Sequence, residues 1–282
     1  MKTVCVKCPA KINLTLEIVN KREDGFHNIK SVMQLVSLHD FLNIEVSPSK
    51  VNSINLLGNS PEIPYDESNL VYKATELFLN TAGLSGYEIH INIEKNIPVS
   101  AGLAGGSTDA AGTLYGLNKI FNSPFKNQEL HILASKLGSD LNVCLEGGCL
   151  LATSRGEVIS KLPVIDMPVT IIKPKNLGIS AKEAYTKYSA KEIKPQNNMT
   201  EKLINALNTG ENIEKYLYND LEYAVFDDYE ELQYIKSKLP NSIMSGSGSA
   251  YFVPGNVEAD EFPENYQVIS GLNFVDYGEV IK

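Results

Sequence analysis

Apolar and polar residues alternate strictly in two segments of the N-terminal third, and a period of two is typical of a half-buried β-strand. In the first segment the apolar residues alternate with polar ones: Ile12, Leu14, Leu16 and Ile18 are apolar, and Lys11, Asn13, Thr15 and Glu17 are polar. The apolar face of the second consists of Tyr87, Ile89, Ile91 and Ile93. Because successive side chains of a strand point to opposite faces, we expect Lys11 and Asn13 together on the polar face.

Apolar residues at helical spacing predict several helices. They cover Val71–Ala82, Ala110–Phe121, Leu130–Leu137 and Tyr229–Leu239. Ser68 is the predicted N-cap of the first helix, which ends at Gly83, and Gly138 ends the third.

A short strand is predicted at Val169–Ile172, and a final apolar strand is predicted to start near Phe274. Strands and helices mix without a strict β-α-β alternation. The pattern therefore predicts an α+β fold rather than a doubly wound parallel sheet. A junction at Leu162–Asp166 predicts two domains, residues 1–161 and 162–282.

The composition is that of an acidic globular protein, and it excludes several classes. The 282 residues are 43% hydrophobic and carry a formal net charge of −9. Nucleic-acid and membrane-surface binders need a basic face, so neither partner is expected. No apolar run approaches the ~18 residues of a membrane span, and Lys2, Lys7 and Lys11 interrupt any signal-peptide stretch. We expect a cytoplasmic protein, in which anionic substrates would need local cations such as Lys11 and Lys95.

The chain has 4 cysteines, in two close pairs, Cys5 with Cys8 and Cys144 with Cys149. A metal or redox site needs both sulfurs of a pair to converge. Cys5 and Cys8 lie in an extended segment, where residues three apart point to opposite faces. We therefore expect reduced, mostly buried thiols and no metal on these residues.

A glycine-rich loop between a strand and a helix is the most informative segment. Its sequence is Pro98-Val99-Ser100-Ala101-Gly102-Leu103-Ala104-Gly105-Gly106-Ser107-Thr108. Glycines let backbone N–H groups approach a ligand, and the N-terminus of the following helix attracts anions. The spacing is neither that of a Walker A loop nor that of a dinucleotide fold. The segment predicts a phosphate site with added hydroxyls from Ser107 and Thr108. The alternative is a plain loop capped by Ser107.

Three further segments place polar residues where chemistry is plausible. Lys11 and Asn13 share one face of the first strand directly after Pro9, and Asp24-Gly25-Phe26-His27 follows on a turn. Asp140 stands between a helix end and an apolar run, as either a turn former or a functional acid. A Gly/Ser turn covers Ser245–Ser249 and by itself is typical of any hairpin.

Taken in order, these segments resemble the GHMP small-molecule kinases, which share a lysine-bearing first strand, a central glycine loop and a C-terminal glycine turn. Lys11, Pro98–Ala111 and Ser245–Ser249 match these motifs, within a resemblance from about Lys7 to about Val253. The resemblance implies an α+β, two-domain fold, with a ribosomal protein S5 domain 2-like N-terminal domain and a ferredoxin-like C-terminal domain. It also implies ATP-dependent phosphorylation of an alcohol. Several motifs, including Asp24–His27 and Asn219–Glu222, are similar to those of the branch that acts on a diphosphocytidyl polyol in isoprenoid biosynthesis.

The resemblance also implies roles for the matching residues. Asp140 would be the general base at the substrate hydroxyl, and Lys11 would keep Asp140 ionised and neutralise charge on the transferring phosphoryl group. The ATP-binding set would be Asn69, Leu70, Pro98, Ala101, Gly102, Leu103, Ala104, Gly105, Gly106, Ser107 and Thr108, with Ser107 as a Mg²⁺ ligand. The substrate-binding set would be Asn13, Phe26, His27 and Tyr185, with the cytosine ring between Phe26 and Tyr185. ATP and Mg²⁺ would be the cofactors, and the assembly would be a monomer or a weak homodimer.

Departures from the family pattern leave the acceptor open. The family usually has Asp-Val/Ile-Pro-Phe-Phe at the catalytic acid, whereas this chain has Asp140-Leu141-Asn142-Val143-Cys144. Phe26 stands where tyrosine is common, and Ala181 where threonine is frequent. Another GHMP kinase with a different alcohol is therefore the alternative enzyme. A nucleotide-binding sensor without turnover is a further alternative, but it predicts the loss of Lys11 or Asp140, and both are present.

Overall fold

The computed structural model describes residues 1–191 and 198–276, which form two sheets with helices packed against them. The strands are β1 (Lys2–Lys21), β2 (His27–Pro48), β3 (Ser53–Gly58), β4 (Tyr87–Glu94), β5 (Cys149–Ser154), β6 (Val158–Leu162), β7 (Val169–Pro174), β8 (Tyr218–Asn219), β9 (Ile243–Met244), β10 (Tyr251–Pro254) and β11 (Tyr266–Leu272). The helices are α1 (Leu70–Ala82), α2 (Gly105–Ile120), α3 (Asn127–Leu137), α4 (Leu141–Glu146), α5 (Ala181–Ala190), α6 (Met199–Thr209), α7 (Asp220–Val225) and α8 (Glu230–Lys238). The mixture confirms the α+β class.

The N-terminal sheet is built on the long antiparallel hairpin of β1 and β2. Its neighbours run in the order β3-β4-β2-β1-β8, and β5 pairs with the other half of β2 and with β6. The register of the hairpin shifts between Pro9 and Lys11 and again between Asn13 and Thr15. Such bulges bend a strand and redirect its side chains. They lie on both sides of the polar pair that the sequence singled out.

The expectation that β1 has an exposed polar face is wrong, because residues 8–18 are all buried. Helix α6 covers the part of the polar face that carries Thr15 and Glu17. Glu17 accepts hydrogen bonds from the backbone N–H groups of Met199 and Thr200, and the Thr200 hydroxyl donates to Oγ1 of Thr15 at 3.0 Å. Alternation therefore identified the strand correctly but not its surroundings, because polar side chains were satisfied by a distant helix instead of by water.

Helices α1, α2 and α3 cover one side of the N-terminal sheet around Phe78 and the isoleucines of β4. Helix α2 lies unusually close to the strands. A Cβ on Gly112 would lie 2.5 Å from Sγ of Cys8, and one on Gly116 would lie 2.7 Å from Cδ1 of Ile44. Glycine costs a helix about 1 kcal/mol relative to alanine, and here it provides the space for close packing. This packing holds the start of α2 beside β1.

The C-terminal sheet has the order β11-β7-β10-β9, with every neighbouring pair antiparallel. Counted along the chain, that order is 4-1-3-2, which agrees with the expected ferredoxin-like domain. The predicted strand at Val169–Ile172 is part of β7. The predicted final strand starting near Phe274 falls mostly on residues that the structure does not describe. Strand β11 ends at Leu272, and Phe274 makes only a single bridge with Val36. Residues 277–282 lie outside the described residues.

Two helix starts differ from the sequence prediction. Asn69, not Ser68, caps α1, because Oδ1 of Asn69 accepts a hydrogen bond from the Val71 N–H group while Ser68 is bonded to Asp66. Ser107 does not cap α2, which begins two residues earlier, after Ala104 in the left-handed conformation. In the part of the chain that the structure describes, no helix has the length and apolarity needed to cross a membrane.

Candidate active site

Two cavities meet at the glycine-rich loop. The larger, of about 750 Å³, is lined by Lys11, Asp140 and Tyr185 among others, and the smaller, of about 360 Å³, by the 63–70 segment and the loop itself. Gly102, Ala104 and Ser107 line both. A ligand that occupies both cavities must therefore pass along the glycine loop.

Lys11 and Asp140 face each other at the inner end of the larger cavity, with Nζ of Lys11 3.5 Å from Oδ2 of Asp140. The ammonium of Lys11 also donates to Oδ1 of Asn13 at 2.7 Å and to the carbonyl of Gly102 at 3.0 Å. The lysine side chain is 4% exposed, whereas that of Asp140 is 30% exposed. The cation is therefore held from behind, and the carboxylate remains open to the cavity.

Asn13 is the link between Lys11 and the sheet. Its amide nitrogen donates to Oγ of Ser31 at 2.8 Å, and the Ser31 hydroxyl donates to the carbonyl of Thr15. This chain fixes the orientation of the Asn13 amide, so its oxygen points at Lys11. Sequence reasoning assigned Asn13 to the substrate and missed Ser31, which no local pattern distinguishes from an ordinary strand serine.

The glycine loop is locked to the Gly/Ser turn of the C-terminal half. The Ala250 N–H group donates to the carbonyl of Ala101, and the Ser245 hydroxyl donates to the carbonyl of Gly102 at 3.1 Å. A Cβ on Gly102, whose φ is +74°, would lie 2.0 Å from the carbonyl oxygen of Ser245. Only glycine fits this approach. Asn219 holds the turn in place by donating to the carbonyls of Met244 and Gly246.

The first turn of α2 presents backbone N–H groups to the smaller cavity. Gly105, Gly106 and Ser107 line that cavity, and the first N–H groups of a helix have no partner within it. Thr108 is not brought to either cavity. It is 1% exposed, and its N–H group is bonded to the carbonyl of Ala104. The predicted phosphate segment therefore lines the smaller cavity from Pro98 to Ser107.

Asp140 directly precedes α4 and makes no capping hydrogen bond with its side chain. The helix is held instead by Asn142, which donates to Oγ of Ser135 at 2.9 Å and to the carbonyl of Glu157 at 2.8 Å. Its Oδ1 lies 3.2 Å from Nδ1 of His131. Asn142 stands at the departure from the family pattern noted above, and its role depends on groups distant in sequence.

Aromatic side chains line the outer part of the larger cavity, but not in the expected sandwich. Tyr185 stacks on His27 with ring centroids 5.1 Å apart, and Nε2 of His27 lies 3.1 Å from Oγ of Ser189. Burial, aided by the charge of Lys21, lowers the pKa of His27. Phe26 is 53% exposed, and Cζ of Arg155 lies 5.3 Å from its ring centroid. Sequence reasoning missed Arg155.

Lys95, which was expected as a cation for anionic substrates, lines the smaller cavity, and its ammonium pairs with the buried carboxylates of Asp40 and Asp109. Burial raises the pKa of Asp109 to about 7 against the opposing attraction of Lys95. Asn69 and Leu70, the predicted adenine contacts, line the smaller cavity beside this cluster. The Asn69 side chain also serves as the helix cap and as a donor to the carbonyl of Pro64.

The described residues contain no group of three or more His, Cys, Asp or Glu side chains arranged to hold a metal. The donor chemistry nevertheless fits Mg²⁺ bound beside phosphates, because that ion takes only one or two protein oxygens and completes its shell with phosphate and water. Ser107, which lines both cavities, supplies a suitable hydroxyl oxygen.

Comparison with known proteins gives a consistent picture. The family model of the GHMP kinases N terminal domain matches residues 69–148. A 4-diphosphocytidyl-2-C-methyl-D-erythritol kinase from Clostridium botulinum (strain Eklund 17B / Type B) is 41% identical over 257 residues, which cover 88% of this chain and 89% of the relative. A protein of the same name from Carboxydothermus hydrogenoformans is 39% identical over 86% of this chain and 85% of the relative.

Solved structures share the same architecture. A crystal structure of 4-(cytidine 5'-diphospho)-2C-methyl-D-erythritol kinase is similar with a TM-score of 0.76 and 29% identity, covering 96% of this chain and 99% of the other. A homoserine kinase from Cytophaga hutchinsonii has a TM-score of 0.78 at 18% identity over 100% of this chain and 98% of the other. At that identity the second likeness shows the fold alone.

Proposed function

The chain belongs to the 4-diphosphocytidyl-2-C-methyl-D-erythritol kinases, within the GHMP kinases, and we propose that it transfers the γ-phosphoryl group of ATP to the 2-hydroxyl of that substrate. The reaction belongs to the non-mevalonate isoprenoid pathway. The observation that carries the assignment of its residues is the facing pair of Lys11 and Asp140, 3.5 Å apart at the cavity that the glycine loop borders.

Asp140 acts as the general base. Its carboxylate accepts the proton of the 2-hydroxyl while that oxygen forms a bond to the γ-phosphorus, and the bond from phosphorus to the β–γ bridging oxygen breaks to release ADP. Lys11 places its positive charge 3.5 Å from this carboxylate and beside the transferring phosphoryl group. Phosphoryl transfer depends mainly on positioning and charge stabilisation, so this pair supplies the groups that the chemistry needs.

The ammonium of Lys11 has three N–H donors, and only some of them are used to hold the side chain in place. Two are directed to the oxygens of Asn13 and Gly102, and these neutral acceptors add no negative charge to that of the Asp140 carboxylate. The remaining donor faces Asp140 and the transferring phosphoryl group. Asn13 therefore acts on Lys11 as well as on the substrate.

The glycine loop binds the triphosphate of ATP through the free N–H groups at the start of α2. Gly105, Gly106 and Ser107 line the smaller cavity, and the positive end of the helix dipole stabilises the phosphate charge. Ser107 is the residue that would hold Mg²⁺, which when bound neutralises charge on the phosphates. Asn69 and Leu70 border the adenine at the far end of this cavity.

The cytidine end of the substrate lies in the outer part of the larger cavity. His27 and Tyr185 form a stacked pair there, with Phe26 exposed beside them. An aromatic ring is a good stacking surface for a pyrimidine. Phe26 and Tyr185 are the rings proposed to stack on the cytosine, and the face of Tyr185 opposite His27 is the one that would take it.

The test is ADP release from Mg²⁺-ATP with one acceptor at a time. Wild-type protein is offered 4-diphosphocytidyl-2-C-methyl-D-erythritol, homoserine, mevalonate or galactose, and turnover is expected with the first alone. Asp140→Asn keeps the shape of the side chain and removes the base, so kcat is expected to fall about 10²–10⁴-fold.

Binding of ATP to Asp140→Asn, measured by calorimetry, is the control and is expected to match the wild type. Turnover with a different acceptor would retain the kinase and contradict the substrate. ATP binding without turnover on any acceptor would favour a nucleotide sensor.

A further inference from the structure

Positive charge is concentrated at the larger cavity of a chain whose formal net charge is −9. Among the described residues, the Lys, Arg, Asp and Glu side chains that line it are Lys11, Lys21, Arg155, Lys182 and Asp140. A cleft with an excess of one sign of charge concentrates ligands of the opposite sign. Lys11 belongs to the catalytic pair, so the other three cations need a separate explanation.

Arg155 differs from Lys21 and Lys182 because its side chain is held in place. Lys21 and Lys182 are exposed, whereas the Arg155 side chain is 32% exposed, with Nε 3.5 Å from Oε1 of Glu157. Cζ of Arg155 also lies 5.3 Å from the centroid of the Phe26 ring. An arginine fixed against an aromatic face keeps its planar set of donors oriented toward an anion.

The turn that carries Arg155 touches both ends of the cavity. On the inner side, a Cβ on Gly156 would lie 3.5 Å from Cβ of Ser139, the residue before Asp140. On the outer side, Nη1 of Arg22 donates to Oγ of Ser154 at 3.2 Å and so ties this turn to the turn of Phe26. Arg155 therefore lies between the acceptor end and the nucleoside end.

We propose that Arg155 binds the diphosphate that joins a nucleoside to the alcohol being phosphorylated, and that it thereby selects nucleoside-diphosphate-linked substrates over simple alcohols. The inference rests on the proposed function. A bidentate guanidinium contact with a phosphate is strong and geometrically selective. Lys21 and Lys182 add a diffuse attraction at the rim, where solvent screens exposed charges.

The experiment compares Arg155→Gln and Arg155→Lys with the wild type. Steady-state kinetics give kcat and KM for 4-diphosphocytidyl-2-C-methyl-D-erythritol and for ATP, and calorimetry gives the affinities for CDP and cytidine. The control is Lys136→Gln, an exposed position of α3 that makes the same charge change away from both cavities.

Arg155→Gln is expected to raise KM for the cytidyl substrate about 10- to 100-fold, because it removes a charged hydrogen bond. KM for ATP is expected to stay within twofold. The wild type is expected to bind CDP at least tenfold more tightly than cytidine, and Arg155→Gln is expected to abolish that difference. Arg155→Lys is expected to keep part of it, and Lys136→Gln all of it.

Equal losses of CDP and cytidine affinity would overturn the proposal, because they would mean that Arg155 acts only through Phe26. An unchanged KM in Arg155→Gln would also overturn it, and so would a wild type that binds the two ligands equally. A wild type that prefers CDP through Arg155 but phosphorylates no cytidyl substrate would support the diphosphate site and contradict the proposed function. The two failures are therefore distinguishable.

Discussion

Two buried lysine side chains, Lys11 on β1 and Lys95 directly after β4, have opposite surroundings. Lys95 contacts two carboxylates, those of Asp40 and Asp109, and all three side chains are nearly inaccessible to solvent. Lys11 contacts one carboxylate, that of Asp140, at a distance of 3.5 Å, and both residues line the larger cavity. Sequence reasoning assigned both lysines to anionic substrates, and the surroundings separate them.

This difference indicates that the ion pairs of Lys95 are structural and that the ion pair of Lys11 belongs to the reaction. Asp40 also accepts hydrogen bonds from the backbone N–H groups of Asn96 and Ile97, so the Lys95 cluster fixes the chain that enters the glycine loop. In that cluster two carboxylates surround one ammonium. At Lys11 the other acceptors are neutral, so its charge remains available to a phosphoryl group.

The largest effect that separates the two lysines is expected on catalysis. Lys11→Met removes the positive charge at the phosphoryl group, and kcat is expected to fall about 10²–10³-fold. Because Asp140 remains partly exposed to water, the free energy of unfolding is expected to change less than in Lys95→Met. Phosphoryl-transfer kinetics measure kcat, and urea unfolding of the same preparation measures the free energy of unfolding. A near-normal kcat in Lys11→Met would contradict the catalytic role of Lys11 and its contrast with Lys95.

The converse effect is expected at Lys95. Lys95→Met leaves two buried carboxylates without their cation, and breaking a buried pair in this way lowers the free energy of unfolding by about 3–5 kcal/mol. At saturating ATP, and below the unfolding transition, kcat is expected to stay within about tenfold of the wild type. Urea denaturation measures the first quantity. A fall in kcat well beyond tenfold, with little change in the free energy of unfolding, would assign Lys95 to the chemistry.

A smaller effect is expected in the pH dependence of stability, because the pKa of Asp109 is raised to about 7 from its ordinary value of 3.8. The folded protein then binds this proton more tightly than the unfolded chain does. Its contribution to stability is therefore lost as pH rises from about 4 through about 7.

Asp109→Asn is expected to remove this contribution, so its stability relative to the wild type rises over that interval by at most about 1.4 kcal/mol per pH unit. Urea unfolding at several pH values measures the slope, and Asp260→Asn, at an exposed carboxyl, is the control. A slope unchanged in Asp109→Asn would show that Asp109 is ionised throughout, and the two lysine sites would then differ less than the geometry indicates.

Much of the fold could be predicted because local patterns report directly on it. Alternation located β1 and β4, and helical spacing located α1, α3 and α8 within a few residues. The glycine loop was placed correctly between a strand and a helix. The error at the buried polar face of β1 occurred because its partners come from other parts of the chain. The error at the cap of α1 is local, because the neighbouring Ser68 and Asn69 are both residue types that cap helices.

The site divides in the same way. Lys11, Asp140 and the glycine loop were identified from motifs, and their placement at one cavity follows from the fold. Arg155, Asn142 and Ser31 carry no local signal. Their importance depends on which group lies opposite each of them, which the sequence does not state.

The sequence by itself determined the elements, the class of fold and the types of residue available for phosphoryl transfer, because periodicity and backbone preference act over a few neighbouring positions. Only the tertiary structure decided which lysine keeps an available charge, because that depends on carboxylates brought together from distant segments. Burial removes water as the alternative partner, so each buried charge is governed by whichever side chains the fold places beside it.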